Sequence, residues 1–391
     1  MRIALVSPYD WLTPGGVNQH IQQLTERFDE YGHEVTIFAP STGELSDERV
    51  VSIGHPLPVP ASGSTARIAL NPRLGRQVQH ALQERQFDVV HVHEPLMPTL
   101  PIQVLRASRA ANRHVVNVGT FHATKDGGNR LYSYGRGLLK RWYRELDGKI
   151  AVSPPAAQYV GRYFSGYYNV IANGIDVARF ADPTLEPIAR FDDGLQNILY
   201  VGRAEKRKGL GHLLRAFGVV NARDPNTRLI VVGPDSRRMR RYQASTEHEG
   251  RRGVVFVDNV SDEELPRYYR SADVFCSPAE GHESQGYVLL EALASGVPIA
   301  ASNIDGYASV ITDDVDGLLV RPRDPMALAD ALTALLRNRP RRMELAAAGR
   351  KRAEVYSWPR ITRRVLSYYE RLRDDRATHT RAVLAASRRR D

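Results

Sequence analysis

Short apolar, β-branched runs separated by helical stretches recur along this chain, and the series begins twice. The first run, Arg2 to Val6, ends at Ser7-Pro8. A loop carrying Pro14-Gly15-Gly16 follows, then Val17, Ile21, Leu24 and Phe28 at spacings of four, three and four. That periodicity puts one apolar stripe on a helix, with Gly32 as its stop. Glu34 to Ala39 reads as the next strand, completing a β-loop-α-β unit. Further strands are expected at Asp88–His93, Val115–Phe121, Lys149–Val152 and Val170-Ile171. Asn197 to Gly202 then restarts the pattern, and a helix is expected over Leu210–Val220. Strands follow at Arg228–Gly233, Val254–Phe256, Val274–Cys276 and Val297–Ala300. Strands alternating with helices predict parallel sheets covered on both faces. Two such series predict an α/β chain of two Rossmann-like domains, divided near Asn173-Gly174-Ile175-Asp176. Residues 325–373 read as helical, broken at Trp358-Pro359, and 388–390 as a solvated basic tail.

A length of 391 residues with 42% apolar side chains supplies a core for each half. Cys276 is the single cysteine. It rules out an internal disulfide or a cysteine-built zinc site and fits a reducing, cytoplasmic setting. No run approaches the ~20 apolar residues of a membrane span, and the first apolar run is too short for a signal-peptide core. Contact with a membrane is therefore expected from its surface. The net charge of +10 favours anionic partners, unless it only reflects arginine scattered along the chain. A nucleic-acid reading is weak, because no binding motif or stacking surface accompanies the charge.

Ligands in open α/β sheets bind beyond the carboxyl ends of the strands. Three loops there carry chemistry. Gly15-Gly16 stands before a helix, where backbone N–H groups and the helix terminus attract phosphate; a plain turn is the competing reading. The loop Gly202-Arg203-Ala204-Glu205-Lys206-Arg207-Lys208-Gly209 crowds cations between glycines, which suits a diphosphate, against the alternative of a solvated basic loop. Glu283 and Glu291 flank the start of a helix rich in small residues and can face one cleft. Carboxylates accept from sugar and ribose hydroxyls and repel phosphate. The competing reading makes Glu283 a helix cap and leaves Glu291 exposed. Cations and glycines for a diphosphate, with carboxylates for hydroxyls, together describe a nucleotide sugar.

Those residues resemble a known family. Gly202-Arg203 with Lys208-Gly209, Asn173-Gly174-Ile175-Asp176, and Glu283 through Glu291 with Gly296-Val297-Pro298 are similar to the retaining, GT-B-fold glycosyltransferases of family 4. The N-terminal half resembles the bacterial phosphatidylinositol mannosyltransferases within it. The carriers are Ser7-Pro8-Tyr9, Pro14-Gly15-Gly16-Val17, Gly63-Ser64 with Ala66-Arg67, His91-Val92-His93-Glu94-Pro95 and Thr120-Phe121-His122. The resemblance implies an acceptor-side domain of residues 1–173 joined by a returning helix at 357–391, a nucleotide-sugar domain of 174–356, and an active site in the cleft between them. It implies that Gly16 approaches the donor diphosphate, which Arg203 and Lys208 neutralise. Glu283, with Ser284, Gln285 and Gly286, would hold the transferred sugar, and Glu291 the ribose. His122 would contact the sugar near the scissile bond, Asp262 would read guanine, and Tyr9, Asn18 and Arg67 would face the acceptor. No metal or tightly bound cofactor is implied. The co-substrate is a nucleotide sugar, with mannose from GDP-mannose passing to a lipid-linked acceptor such as phosphatidylinositol.

Gln285, Asn18 and Ala61-Ser62 depart from that family's pattern, at positions that bear on donor sugar and acceptor head group. The rival enzyme reading is a UDP-sugar donor with a diacylglycerol or soluble acceptor. A sugar-nucleotide epimerase or phosphorylase and a non-catalytic nucleotide-sugar-binding protein are rivals of other classes. His91, His93 and Glu94 look like metal ligands but fall on one strand, and a structural role is preferred. The stretch 129–146 interleaves Arg130, Arg136, Lys140, Arg141 and Arg144 with Leu131, Tyr132, Tyr134, Leu138, Leu139, Trp142 and Tyr143. It is either a membrane-surface helix or a packed helix with a solvated basic face.

Overall fold

The computed structural model describes residues 1–61, 64–71, 74–125, 127–234, 236–250, 252–258 and 260–387. Ser62-Gly63 and the basic tail 388–390 lie outside the described residues. The chain forms two compact units, Met1–Asn173 with Trp358–Asp391, and Gly174–Ser357.

The first unit runs β1 (Arg2–Val6), α1 (Gly16–Glu30), β2 (Glu34–Ala39), β3 (Val50–Ser52), β4 (Pro56–Ala61), β5 (Ser64–Ala69), α2 (Gly75–Arg85) and β6 (Val89–His93). It continues with α3 (Leu100–Ala111), β7 (Val116–Phe121), α4 (Arg130–Arg144), β8 (Gly148–Ala151), α5 (Pro154–Gly161) and β9 (Asn169–Val170). The second unit contains α6 (Val177–Ala181), β10 (Gln196–Val201), α7 (Leu210–Arg223), β11 (Thr227–Val232), α8 (Arg237–His248), β12 (Val254–Val257) and α9 (Leu265–Arg270). After them come β13 (Val274–Ser277), α10 (Tyr287–Ser295), β14 (Ile299–Ser302), α11 (Asp305–Ala308), β15 (Leu318–Val320), α12 (Pro325–Arg337) and α13 (Arg339–Ala353). A 3-10 turn at Glu354–Tyr356 precedes α14 (Trp358–Ser387), which returns to the first unit.

Each unit is a parallel sheet between helical layers, in the orders β3-β2-β1-β6-β7-β8-β9 and β12-β11-β10-β13-β14-β15. The β-branched strands are buried on both faces. In β1, Ala4 and Val6 join one core with Val78, Leu82, Val104 and Leu139, while Ile3 and Leu5 join another with Leu24, Phe28, Trp358 and Tyr369. Period-2 alternation therefore serves two apolar faces at once. In the second unit Leu210, Leu213 and Phe217 of α7 and Leu328, Leu332 and Leu336 of α12 close one core. The expected two-Rossmann architecture holds, with strand limits shifted by a residue or two.

Three strands were not anticipated, besides the short β15: β3 and the antiparallel hairpin β4–β5. Pro56, Pro58 and Pro60 alternate along β4, which among the described residues pairs only with β5. Proline has no N–H to donate and is tolerated at such a two-stranded edge when its nitrogen faces away from the ladder.

Candidate active site

Both sheets reverse their winding once, between β1 and β6 and between β10 and β13. Loops leaving neighbouring strands diverge at such a switch point, and a ligand can enter the crevice they leave. In the second unit those loops are the basic segment after β10 and the carboxylate segment after β13.

They are tied together. Glu283 is paired with Arg207 and, at 2.8 Å, with the Lys208 ammonium. Arg207 also donates to Glu205 at 2.7 Å, and its carbonyl accepts from the Glu280 amide at 2.7 Å. Glu280 in turn meets His212 at 3.1 Å and Arg323 at 3.0 Å. Two glycines permit this approach. Gly209 closes the Lys206–Lys208 turn at φ +74°, and a Cβ there would collide with the Pro278 carbonyl. A Cβ on Gly306 would collide with the carbonyl of Glu283 itself. Arg203 keeps half of its side chain in solvent and lies 3.8 Å from Glu205.

Glu291 sits in α10, only 8% exposed. Burial raises its pKa above the usual carboxylate value, and the Tyr269 hydroxyl, donating at 2.7 Å, works against that rise. Tyr269 is fully buried between Phe180 and Phe275. The cap of α10 is Gly286, and no side chain caps it. With Glu291 buried as well, the reading of this pair as a helix cap and a solvated glutamate falls. Gln285 is buried beside them. Asp262 is exposed, and its carbonyl accepts from the Arg179 guanidinium.

In the first unit, α1 starts at Gly16 with Gly15 as its cap, no side-chain cap and no acidic residue in the first turn. A helix terminus without an acidic residue in its first turn favours an anion. The loop before it is held by Asp10, which accepts from Thr13 Oγ1 at 2.7 Å and the Thr42 amide at 3.0 Å. Asn18 faces this loop. Its amide accepts from Ser7 at 2.6 Å and donates to the carbonyls of Asp10 and Thr13 at 2.8 and 3.3 Å. These bonds give Asn18 a loop-holding role. Arg67 on β5 is half-exposed, 3.9 Å from Asp10. Tyr9 bridges to Ile68, and burial followed by the neighbouring Glu94 carboxylate raises its pKa.

His122 follows β7 directly. Glu94, buried and at φ +48°, accepts from the amides of His122 and Ala123 at 2.7 and 2.9 Å. It fixes the loop that carries His122. His20, His91, His93 and His122 form one cluster of rings, in contact with Trp358 and Tyr369 of α14. Burial is the main cause that depresses all four, with His20 at about 4 and His91 at about 3. His91 and His93 are thus neutral and packed. Among the described residues no group of three or more His, Cys, Asp or Glu could hold a metal ion.

Sequence reasoning missed Arg207, Glu205, Tyr269 and the clamping role of Glu94. Arg207 and Glu205 stood inside the recognised basic loop. Glu94 carried a signal too, being the residue that leaves a strand at the switch point. Tyr269 carried none.

Residues 14–179 match the model of Glycosyltransferase Family 4, and residues 182–352 that of Glycosyl transferases group 1. A phosphatidyl-myo-inositol mannosyltransferase of Mycobacterium leprae is 36% identical over 95% of this chain and 96% of its own. One of Propionibacterium freudenreichii is 34% identical over 94% of each. Among solved structures, a glycosyltransferase of Rickettsia africae superposes with a TM-score of 0.76 at 19% identity, covering 95% of this chain and 98% of that one. The chain belongs to the GT-B-fold glycosyltransferases of family 4. Its co-substrate is a nucleotide sugar, and its reaction a hexosyl transfer.

Proposed function

We propose that this chain transfers a mannosyl residue from GDP-mannose to an inositol phospholipid, with retention of anomeric configuration. The observation that carries this reading is the full-length identity to the phosphatidyl-myo-inositol mannosyltransferases, together with a switch point where cations and carboxylates interlock. Arg203 and Lys208 would neutralise the departing diphosphate, with the amide of Gly16. Glu283, Ser284, Gln285 and Gly286 would hold the sugar, Glu291 the ribose, and His122 the sugar near the scissile bond. Tyr9 and Arg67 would meet the acceptor. The acceptor oxygen forms a bond to the anomeric carbon on the face from which the phosphate leaves. The leaving phosphate oxygen takes the acceptor's proton, so no protein nucleophile is required. Glu283 and Glu291 are hydroxyl acceptors in this scheme and not an acid–base pair.

The guanine reading rests on Asp262. Calorimetry with Asp262→Ala should show GDP binding weakened about tenfold to a hundredfold, the scale of one lost charged hydrogen-bond pair, and UDP binding little changed. Equal loss for both nucleotides would remove guanine recognition from Asp262. Transfer of radiolabelled sugar from a panel of donors into lipid extracts tests the whole proposal, and failure with every donor would overturn it.

An inositol-phospholipid acceptor would put the reaction at a membrane surface, and the cytoplasmic face is the side we propose. No described helix is long and apolar enough to cross one. On α4, Tyr132, Leu139 and Tyr143 turn inward, whereas Leu131, Tyr134 and Leu138 are 43%, 89% and 71% exposed among five basic residues. Apolar side chains flanked by cations suit an anionic bilayer surface. Tyr134→Ser with Leu138→Ser should lower sedimentation with phosphatidylglycerol vesicles by about tenfold or more, since each apolar side chain is worth roughly 1.5–3 kcal/mol when buried. Unchanged sedimentation would leave α4 a merely solvated helix.

A further inference from the structure

β6 and β7 run side by side in the register His93↔Thr120, and their ends carry His91, His93 and His122. His91 is held at both ring nitrogens, by the Tyr369 hydroxyl at 2.5 Å and Thr120 Oγ1 at 2.6 Å. His93 lies against it, with ring centroids 4.4 Å apart, and is held at one nitrogen only. Its Nδ1 is 2.8 Å from Nε2 of His122, while its own Nε2 is buried without a partner. Both rings are neutral near pH 7, because burial and the neighbouring imidazoles push their pKa values well down.

Two neutral imidazoles share one proton in such a bond, and the orphaned nitrogen decides where it sits. With the proton on His122, His93 would carry its own proton on Nε2, a buried N–H with no acceptor. Such groups are rare, because the hydrogen bond lost to water is not replaced. With the proton on Nδ1 of His93, Nε2 keeps only a bare lone pair, the milder defect. The bond made by one ring nitrogen fixes what the other carries. We infer that His93 is a positioning residue: it donates to His122 and locks that ring as the Nδ1–H tautomer. His122 therefore presents a hydrogen-bond donor on its half-buried side and cannot use that nitrogen as a base. The donor would meet an oxygen of the sugar or the scissile linkage, which rests on the reading of His122 as a sugar contact.

Two-dimensional 15N–1H NMR of histidine-labelled protein reads tautomers directly. The His122 signal is assigned by its loss in His122→Gln. Wild type should show Nδ1 of His122 protonated and Nε2 bare, and the reverse pattern would overturn the inference. In His93→Leu the ring should relax toward the Nε2–H form that a free imidazole prefers, with kcat down about tenfold or more and KM for the donor changed less. His93→Asn, whose amide can place an N–H near the position of Nδ1, should keep the wild-type tautomer and most of kcat. A tautomer indifferent to His93→Leu would sink the positioning role. A tautomer that switches while kcat stays constant would uphold the lock and remove His122 from the sugar. The wild-type spectrum remains decisive if His93→Leu does not fold.

Discussion

Acidification is expected to unfold the first unit between about pH 4.5 and pH 3.5 through its buried histidines. His20, His91 and His93 are almost wholly buried, and burial depresses their pKa values from 6.5, to about 4 for His20 and about 3 for His91. The unfolded chain takes up these protons first. Their contribution is therefore fully present above pH 6.5 and is lost as pH falls toward the folded values, by about 1.4 kcal/mol per pH unit for each ring. Glu94 acts in the opposite sense, because burial raises its pKa and the folded state takes its proton earlier. It offsets about one histidine below its own raised pKa. The remainder, roughly 3 kcal/mol per pH unit, exhausts a domain of ordinary stability within two to three units. Trp11, Trp142 and Trp358 all belong to this unit, so tryptophan fluorescence follows it alone. Denaturant titrations from pH 7 to pH 5 should show the midpoint falling steeply, and less steeply in His20→Phe. A midpoint independent of pH would mean that these rings are already solvated.

The second large effect is kinetic. Lys208→Ala should lower kcat by about 10²–10³-fold, the scale of one lost donor to a charge that develops in the transition state. The fold should survive, because Glu283 keeps its pairing with Arg207. Arg203→Ala should act similarly with an unchanged Tm, since half of that side chain is in solvent. Steady-state kinetics of sugar transfer, with thermal unfolding of each variant, make the test. A rise in KM at constant kcat would show that these cations only bind the donor, holding ground and transition state alike.

Much of the architecture was legible because it rests on local periodicity. The runs of β-branched residues and the stripe Val17, Ile21, Leu24, Phe28 fix strands and helices within a few residues. The prolines of β4 carried the opposite signal, and only the pairing with β5 made room for them. The candidate site was legible where its residues lie inside one loop, as with Arg203 and Lys208 or Glu283 and Gly286. It was not legible where the partner is distant in sequence. Tyr369 stands 278 residues from His91, and Tyr269 is 22 residues from Glu291 on a different helix. Such pairs follow from packing, which periodicity does not encode. Asn18 shows the converse case, since an amide expected to face a ligand is occupied within its own loop.

The return of α14 has a consequence for synthesis. One face of the first sheet is covered by Trp358, Ile361, Val365 and Tyr369, which the ribosome makes only after all of Gly174–Ser357. Those 184 intervening residues take roughly 10–40 s at usual translation rates. Through that interval the part of the sheet that α14 covers, at β7 and Gly148 of β8, has a solvent-facing side, and the usual vectorial order is reversed, so that the domain begun first is the one completed last.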